Sequence, residues 1–445
     1  MKHFNGRSAF VAIVSFAATG SAYAAQPPDI VQSDSHANTA MGTAVMSNLT
    51  DAADSNTGMG TGALAYTTTG SWNTAAGFWS LLKNTSGDRN SAFGVQALQA
   101  NSSGGANSAF GLTSLYNNTS GNENTASGYD ALFANTTGSS NAALGTHALY
   151  SNTTASNNTA CGPNALYTNT TGADNTASGA DALFSNSTGS NNTAAGFDAL
   201  YSNTNGASNT AAGHHALYAN STGYHNTAEG ADSLVANSTG HNNAAFGLQA
   251  LNSNTTGSNN IAVGTGAGYN LTTGSNNIDI GSAGVAGEGA TIRVGASGTQ
   301  TATYIAGINT AHVTGAAVYV TSTGRLGVLA SSERYKTAIA PIGAASTKLQ
   351  KLRPVTFHLK SEPQGALQYG LIAEEVSRVY PDLVIRDENG TIQGVRYDEL
   401  APLLLNEMQK QQKAAAVQAD EIRELRHQLA DLRDLTHAMQ AALAR

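Results

Sequence analysis

The chain has 445 residues, a formal net charge of −8 and 11% charged side chains, against roughly 25% in a typical soluble protein. A neutral-to-acidic chain with no basic patch argues against nucleic acid as a partner, since binding it needs phosphate-neutralising Lys and Arg. The charge is uneven: residues 56–281 hold two basic side chains (Lys83 and Arg89) and nine acidic ones, whereas residues 331–445 hold 15 of each. Two unlike parts are joined end to end.

Residues 1–24 read as a secretory signal, with Lys2, His3 and Arg7 before an apolar run (Ala9 to Ala18) and a small-x-small site at Ala22-Tyr23-Ala24. The apolar run is far shorter than the ~20 residues that span a bilayer, and no other stretch comes close. The mature protein is therefore expected to be exported, secreted or at the cell surface, without a transmembrane segment. Cys161 is the single cysteine, which rules out an intrachain disulfide. It falls in a repeat slot held elsewhere by Ala, Ser, Phe or Leu and reads as a small space-filling residue.

Residues 25–290 form the repeat array. Asn recurs every 17 residues from Asn56 to Asn277, in a unit N-T-A-x-G-x-x-A-L-x-x-N-T-T-G-x-x, with an off-phase first copy at Asn38. Gly holds slot 5 from Gly60 to Gly281, Leu slot 9 from Leu64 to Leu251, and Asn slot 12 from Asn84 to Asn254. Such a unit is too short for a helix–turn–helix repeat and too rich in poor helix formers. At about 3.3 Å per residue it fits two short strands and two turns, one coil of a parallel β-solenoid. Fourteen coils would make a stalk of roughly 65 Å. Slot-5 and slot-15 glycines are expected to supply turns with positive φ. Slot-3 Ala and slot-9 Leu should stack as thin apolar columns, and slot-12 Asn as an amide ladder. So thin a core suggests several chains sharing one, a homotrimer ahead of a monomer.

The array resembles the head repeats of trimeric autotransporter adhesins, whose shorter units also run N-S/T-x-A-x-G. The resemblance covers about residues 38–281 and implies a surface role toward a glycan or host receptor. The Asn-x-Thr/Ser triplets follow from the repeat rather than from glycosylation. Acids at Asp130, Asp181, Asp198 and Asp232 are too sporadic for a calcium solenoid, which needs an Asp in every coil. No metal and no cofactor are expected. One slot carries seven aromatics that read as exposed (Tyr116, Phe133, Tyr150, Tyr167, Phe184, Tyr201, Tyr218). They would form a stripe that either stacks on sugars or packs between chains.

Residues 291–330 read as a β-rich junction, with β-type segments at Thr303–Ile308 and Ala317–Thr321. Residues 331–405 read as a compact α+β unit. It holds a short helix or turn at Ser331–Ile342, a strand at Pro354–Leu359 and a strand-to-helix run at Tyr369–Val379. Asn389-Gly390 signals a hairpin, and a helix then starts at Asp398 with Pro402 in its first turn. Residues 406–445 continue that helix as a coiled coil. Leu404, Met408, Gln411, Ala415, Gln418, Ile422, Leu425, Leu429, Leu432, Thr436, Met439 and Leu443 follow 4-3 spacing, and none is charged.

Four motifs in this part resemble the endosialidase-type intramolecular chaperone, a self-cleaving serine peptidase at the ends of phage tail spikes and other fibrous trimers. They are Ser331-Ser-Glu-Arg-Tyr-Lys336, Leu352-Arg-Pro-Val-Thr-Phe357, Tyr369-Gly-Leu-Ile-Ala-Glu-Glu-Val376, and Val395-Arg-Tyr-Asp with Pro402-Leu-Leu. The resemblance implies trimerisation, assisted folding of the preceding fibre, and cleavage between Ala330 and Ser331 with Ser331 as nucleophile and Lys336 as base. Ser332 fits the position after the nucleophile; Glu374 stands where Gln is commoner. Lys336 can act as a base only when neutral, which burial away from carboxylates would favour. On a regular helix, residues i and i+5 do not share a face, so Ser331 must precede the helix or the chain must bend. Glu375 reads as a buried structural carboxylate with at most a supporting role, and His358 as a strand-surface residue.

The expected fold is thus mainly β: a parallel β-solenoid, then a small α+β domain ending in a long coiled-coil helix. The expected protein is an exported, adhesin-like fibrous trimer that removes its own chaperone and does no turnover catalysis. A phage tail-fibre component and a glycan-processing solenoid are the alternatives.

Overall fold

The structure is a computed structural model that describes residues 32–305 and 317–443, apart from 322, 329 and 388. The expected signal segment at 1–24 and the second half (306–308) of the expected segment Thr303–Ile308 lie outside the described residues. The chain divides into two compact units, Met1–Tyr304 and Ile305–Arg445.

The first unit is a parallel β-solenoid. A 17-stranded sheet runs along it, from β1 (Gln32–Ser33) and β2 (Thr39–Met41) to β17 (Ile292–Val294). After the antiparallel β1–β2 pair every strand lies parallel to its neighbour in register, for example Thr176, Ala177 and Ser178 against Thr193, Ala194 and Ala195. The coils therefore close within one chain, and the core is not shared between chains as its thinness had suggested.

Each coil holds one three-residue strand, not two. The side opposite the strand is a stack of turns, because slots 7 and 9 adopt left-handed backbone that cannot pleat. All slot-9 leucines from Leu64 to Leu251 have φ between 49° and 55°, where an L-residue other than Gly costs roughly 1–2 kcal/mol. The turns are nonetheless tied between coils by backbone bonds such as Leu98 N–H to Ser114 O, 2.9 Å. Each strained leucine is fully buried, and burying such a side chain is worth about 1.5–3 kcal/mol. Burial thus outweighs the strain.

Slot 5 has a different requirement. Gly94 has φ +140°, and a Cβ there would lie 2.3 Å from the carbonyl oxygen of Gly111. Slot 15 lacks the positive φ expected for it and accepts Ala at Ala155.

The core contains slot-3 Ala, slot-8 Ala and slot-9 Leu, plus two buried asparagine columns where one was expected. In slot 1, Asn73 Nδ2 donates to Asn56 Oδ1 (3.1 Å) and to Gly87 O (2.9 Å). In slot 12, Asn101 Nδ2 donates to Asn84 Oδ1 (2.8 Å) and Gly104 O (2.9 Å). These ladders fill the cross-section that Ala and Leu leave open, with their polar atoms satisfied. Slot 12 frays where the repeat changes: Thr67 Oγ1 and Asn254 Oδ1 have no partner, since the next slot-12 residue after Asn254 is Leu271. Cys161 is exposed on the outer side of its strand, so it fills no core space.

The second unit holds a hairpin, β18–β19 (Val318–Val320, Leu326–Val328). Two more hairpins are β20–β21 (Val355–Phe357, Gln368–Gly370) and β22–β23 (Val384–Arg386, Ile392–Val395). Helix α1 (Ala373–Val379) and helix α2 (Tyr397–Leu443) complete it. Val376, Leu383, Val384 and Val395 form a small core. Pro402 sits inside α2 rather than in its first turn, where its missing N–H leaves the carbonyl of Asp398 without the usual i+4 donor. Among the described residues, no helix is long and apolar enough to cross a membrane.

Candidate functional site

Ser331 precedes a single 3-10 turn, Glu333–Tyr335, whose N-cap is Ser332. The turn is closed by Tyr335 N–H to Ser332 O (3.0 Å) and Lys336 N–H to Glu333 O (2.9 Å). Lys336 then leaves in extended backbone (φ −117°, ψ 144°), which swings its side chain back toward Ser331. Nζ of Lys336 lies 3.5 Å from Oγ of Ser331, the outer limit of a hydrogen bond. Neither side chain has another hydrogen-bond partner among the described residues. Ala330, Ser331, Ser332 and Lys336 are all exposed. The burial of Lys336 expected from the sequence is therefore not supplied by this single chain.

Glu375 is not buried: its side chain is 36% exposed and forms a bidentate pair with Arg353 (Nη2 to Oε1 2.6 Å, Nε to Oε2 3.2 Å). The hydrogen-bonded Arg353 holds its carboxyl below the usual glutamate range. Among the described residues no hydrogen bond joins it, or the Ser332 side chain, to Ser331 or Lys336. His358 is exposed just after β20, with Nδ1 3.0 Å from Gly365 O.

A second Ser–Lys contact was not visible in the sequence. Ser346, fully buried in the 3-10 segment Gly343–Lys351, donates from Oγ to Glu407 (2.8 Å) and accepts from Asn406 Nδ2 (2.7 Å) and Lys410 Nζ (2.9 Å). Its hydroxyl is saturated by these three bonds, so it fastens α2 to the segment that follows the candidate nucleophile. A polar Asn406-Glu407 and Lys410 near the start of the heptads was the only sequence trace of this lock. Beyond Lys410, α2 is exposed throughout, and Ile422, Leu425, Leu429, Leu432, Met439 and Leu443 line up uncovered.

On the solenoid the seven aromatics are half-buried. They stack ring on ring from Tyr116 to Tyr218, with centroids 5.1–5.3 Å apart and planes within 4–10°. Each ring turns its face to the next, so the row offers mainly ring edges and tyrosine hydroxyls outward. Edges suit a packed protein surface better than the face-on stacking used for sugars.

Residues 331–385 match the family described as chaperone of endosialidase. The match begins at Ser331 and includes Lys336, both hydrogen-bonding groups of the site above. No curated protein and no solved structure matches the chain.

Proposed function

We propose that the chain is an exported, fibrous surface protein, adhesin-like in role, whose C-terminal module trimerises, aligns the coils and then cuts itself off between Ala330 and Ser331. The observation that carries this reading is the Ser331–Lys336 pair, 3.5 Å apart at the first residues of the matched segment. In the proposed step Lys336 Nζ, neutral, takes the hydroxyl proton as Oγ attacks the carbonyl carbon of Ala330. The Ala330–Ser331 amide bond breaks, the proton passes to the freed Ser331 amine, and an ester remains. Water then hydrolyses the ester, leaving a carboxylate on Ala330. Because Lys336 is exposed in one chain, its desolvation must come from assembly, which makes cleavage follow trimerisation.

The uncovered seam of α2 supports trimerisation, since apolar 4-3 residues exposed over this length are a coiled-coil surface. Register matters because parallel, non-local strand pairing is slow to nucleate. Loss of the module afterwards leaves the fibre kinetically trapped in its folded state. Denaturing electrophoresis of wild type beside Ser331→Ala and Lys336→Ala tests the reading. Two fragments from wild type and one intact band from each variant are expected; one uncut band in all three lanes contradicts it.

A further inference from the structure

Slots 6 and 7 of neighbouring coils bring His214, His215 and Asp232 together: one ligand atom from each lies within 4.8 Å of the others. The solenoid fixes this spacing. His215 and Asp232 occupy the same slot one coil apart, both in left-handed backbone (φ 55° and 54°), and Asp232 N–H donates to His214 O at 2.9 Å.

The ring of His215 lies between two carboxylates. Its Nε2 is 3.5 Å from Asp198 Oδ2, and its Nδ1 is 3.4 Å from Asp232 Oδ1. A neutral imidazole has one N–H and one lone pair. If Nε2–H faces Asp198, the Nδ1 lone pair faces the negative oxygen of Asp232, and a positive charge is needed between them. A proton can supply it, and so can a metal ion. His214 favours the metal: its ring lies 3.7 Å from that of His215, adding a second nitrogen donor beside the Nδ1–Asp232 gap.

From this geometry we infer a surface site for one divalent transition-metal ion of the zinc class, held by His214, His215 Nδ1 and Asp232. Two imidazoles and one carboxylate form a set that suits such ions, whereas calcium and magnesium prefer all-oxygen sites. Zinc bonds of about 2.0–2.2 Å in tetrahedral array place ligand atoms roughly 3.4 Å apart, which the His215–Asp232 pair already meets. The exposed side of His214 leaves the remaining positions open to water. Asp198 is a positioning residue: it accepts from His215 Nε2–H and so turns Nδ1 toward the ion. His147, in the same slot, provides a control, because it meets one carboxylate (Asp130 Oδ2, 3.8 Å) and no second histidine donor.

The test is calorimetric titration of chelator-treated full-length protein with zinc chloride, for wild type and His214→Ala, His215→Ala, Asp232→Asn, Asp198→Asn and His147→Ala. One ion per chain is expected in wild type and His147→Ala. Binding should be lost in the three ligand variants and weakened about tenfold in Asp198→Asn. Circular dichroism of each variant confirms that the solenoid is intact. Absence of saturable uptake by wild type would overturn the site. Undiminished uptake in the His214 and His215 variants would overturn it equally.

Discussion

Asn135 and Asn118 lie one coil apart, with Asn135 Nδ2 donating to Asn118 Oδ1 at 2.8 Å and to Gly138 O at 2.9 Å, both asparagines fully buried. This bond, repeated along slot 12, joins coil to coil through side chains as the strands do through backbone. Replacing Asn135 with Ala leaves the buried Asn118 Oδ1 without a donor and Asn152 Nδ2 without the acceptor Asn135 Oδ1, whereas Gly138 O keeps its bond from Asn124 Nδ2. Each loss costs about 1–3 kcal/mol. Asn135→Ala is therefore expected to lower the denaturant midpoint by an amount equivalent to roughly 3 kcal/mol, followed by circular dichroism. A change below 0.5 kcal/mol, the ordinary range for surface substitutions, would show that the ladder carries no stability.

Asp279 ends a column of alanines. It pairs in register with Ala262 on one side and Arg293 on the other, is 1% exposed, and neither carboxylate oxygen has a hydrogen-bond partner among the described residues. Burial first, and Glu288 second, push its pKa up to about 6. A carboxylate whose pKa rises on folding favours the folded state in its protonated form. The contribution is complete below about pH 4 and is lost as pH climbs through 6. Amides of residues 278–294 should exchange more slowly at pH 5 than at pH 7.5 after correction for intrinsic rates. Asp279→Ala, which continues the alanine column, should abolish the difference. An unchanged pH dependence in that variant would contradict this role for Asp279.

The 17-residue period, the parallel stacking of coils and the seam of α2 were legible because each writes a periodic signal along the chain, whereas the closing of every coil within one chain was not. What was missed is local or convergent. Nothing in a leucine announces left-handed backbone, so two strands per coil were expected where the structure has one strand and a stack of turns holding Leu98. The slot-1 asparagines marked only the period in the sequence, since only three-dimensional stacking shows Asn73 reaching Asn56. Ser346 and Glu407 are 61 residues apart and meet only in the fold. The Ser331–Lys336 spacing was readable, but exposure was not, because burial depends on what surrounds the pair.

Ser346 supplies a prediction for the second unit. Ser346→Ala removes the hydroxyl shared by Asn406, Glu407 and Lys410 while filling almost the same volume. The loss should destabilise the docking of α2 by about 2 kcal/mol. Thermal melting followed at 222 nm, where α2 gives the main helical signal, should shift several degrees downward. An unshifted melt would mean that the lock adds nothing.

The apolar seam predicts oligomeric state. Leu425→Glu combined with Leu432→Glu places charges where neighbouring helices would bury them, at a cost of several kcal/mol per chain. Light scattering should find trimer in wild type and monomer or aggregate in the variant, which should also remain uncut. A trimer of normal size in the variant would place the interface elsewhere.

The most direct test of the proposed self-cleavage is intact-mass spectrometry of purified wild-type protein sampled over time after synthesis. A released fragment whose mass corresponds to residues 331–445 should appear, and should be absent from Ser331→Ala samples taken in parallel. A single unchanging mass for the uncut chain, or a fragment that begins elsewhere than Ser331, would contradict it.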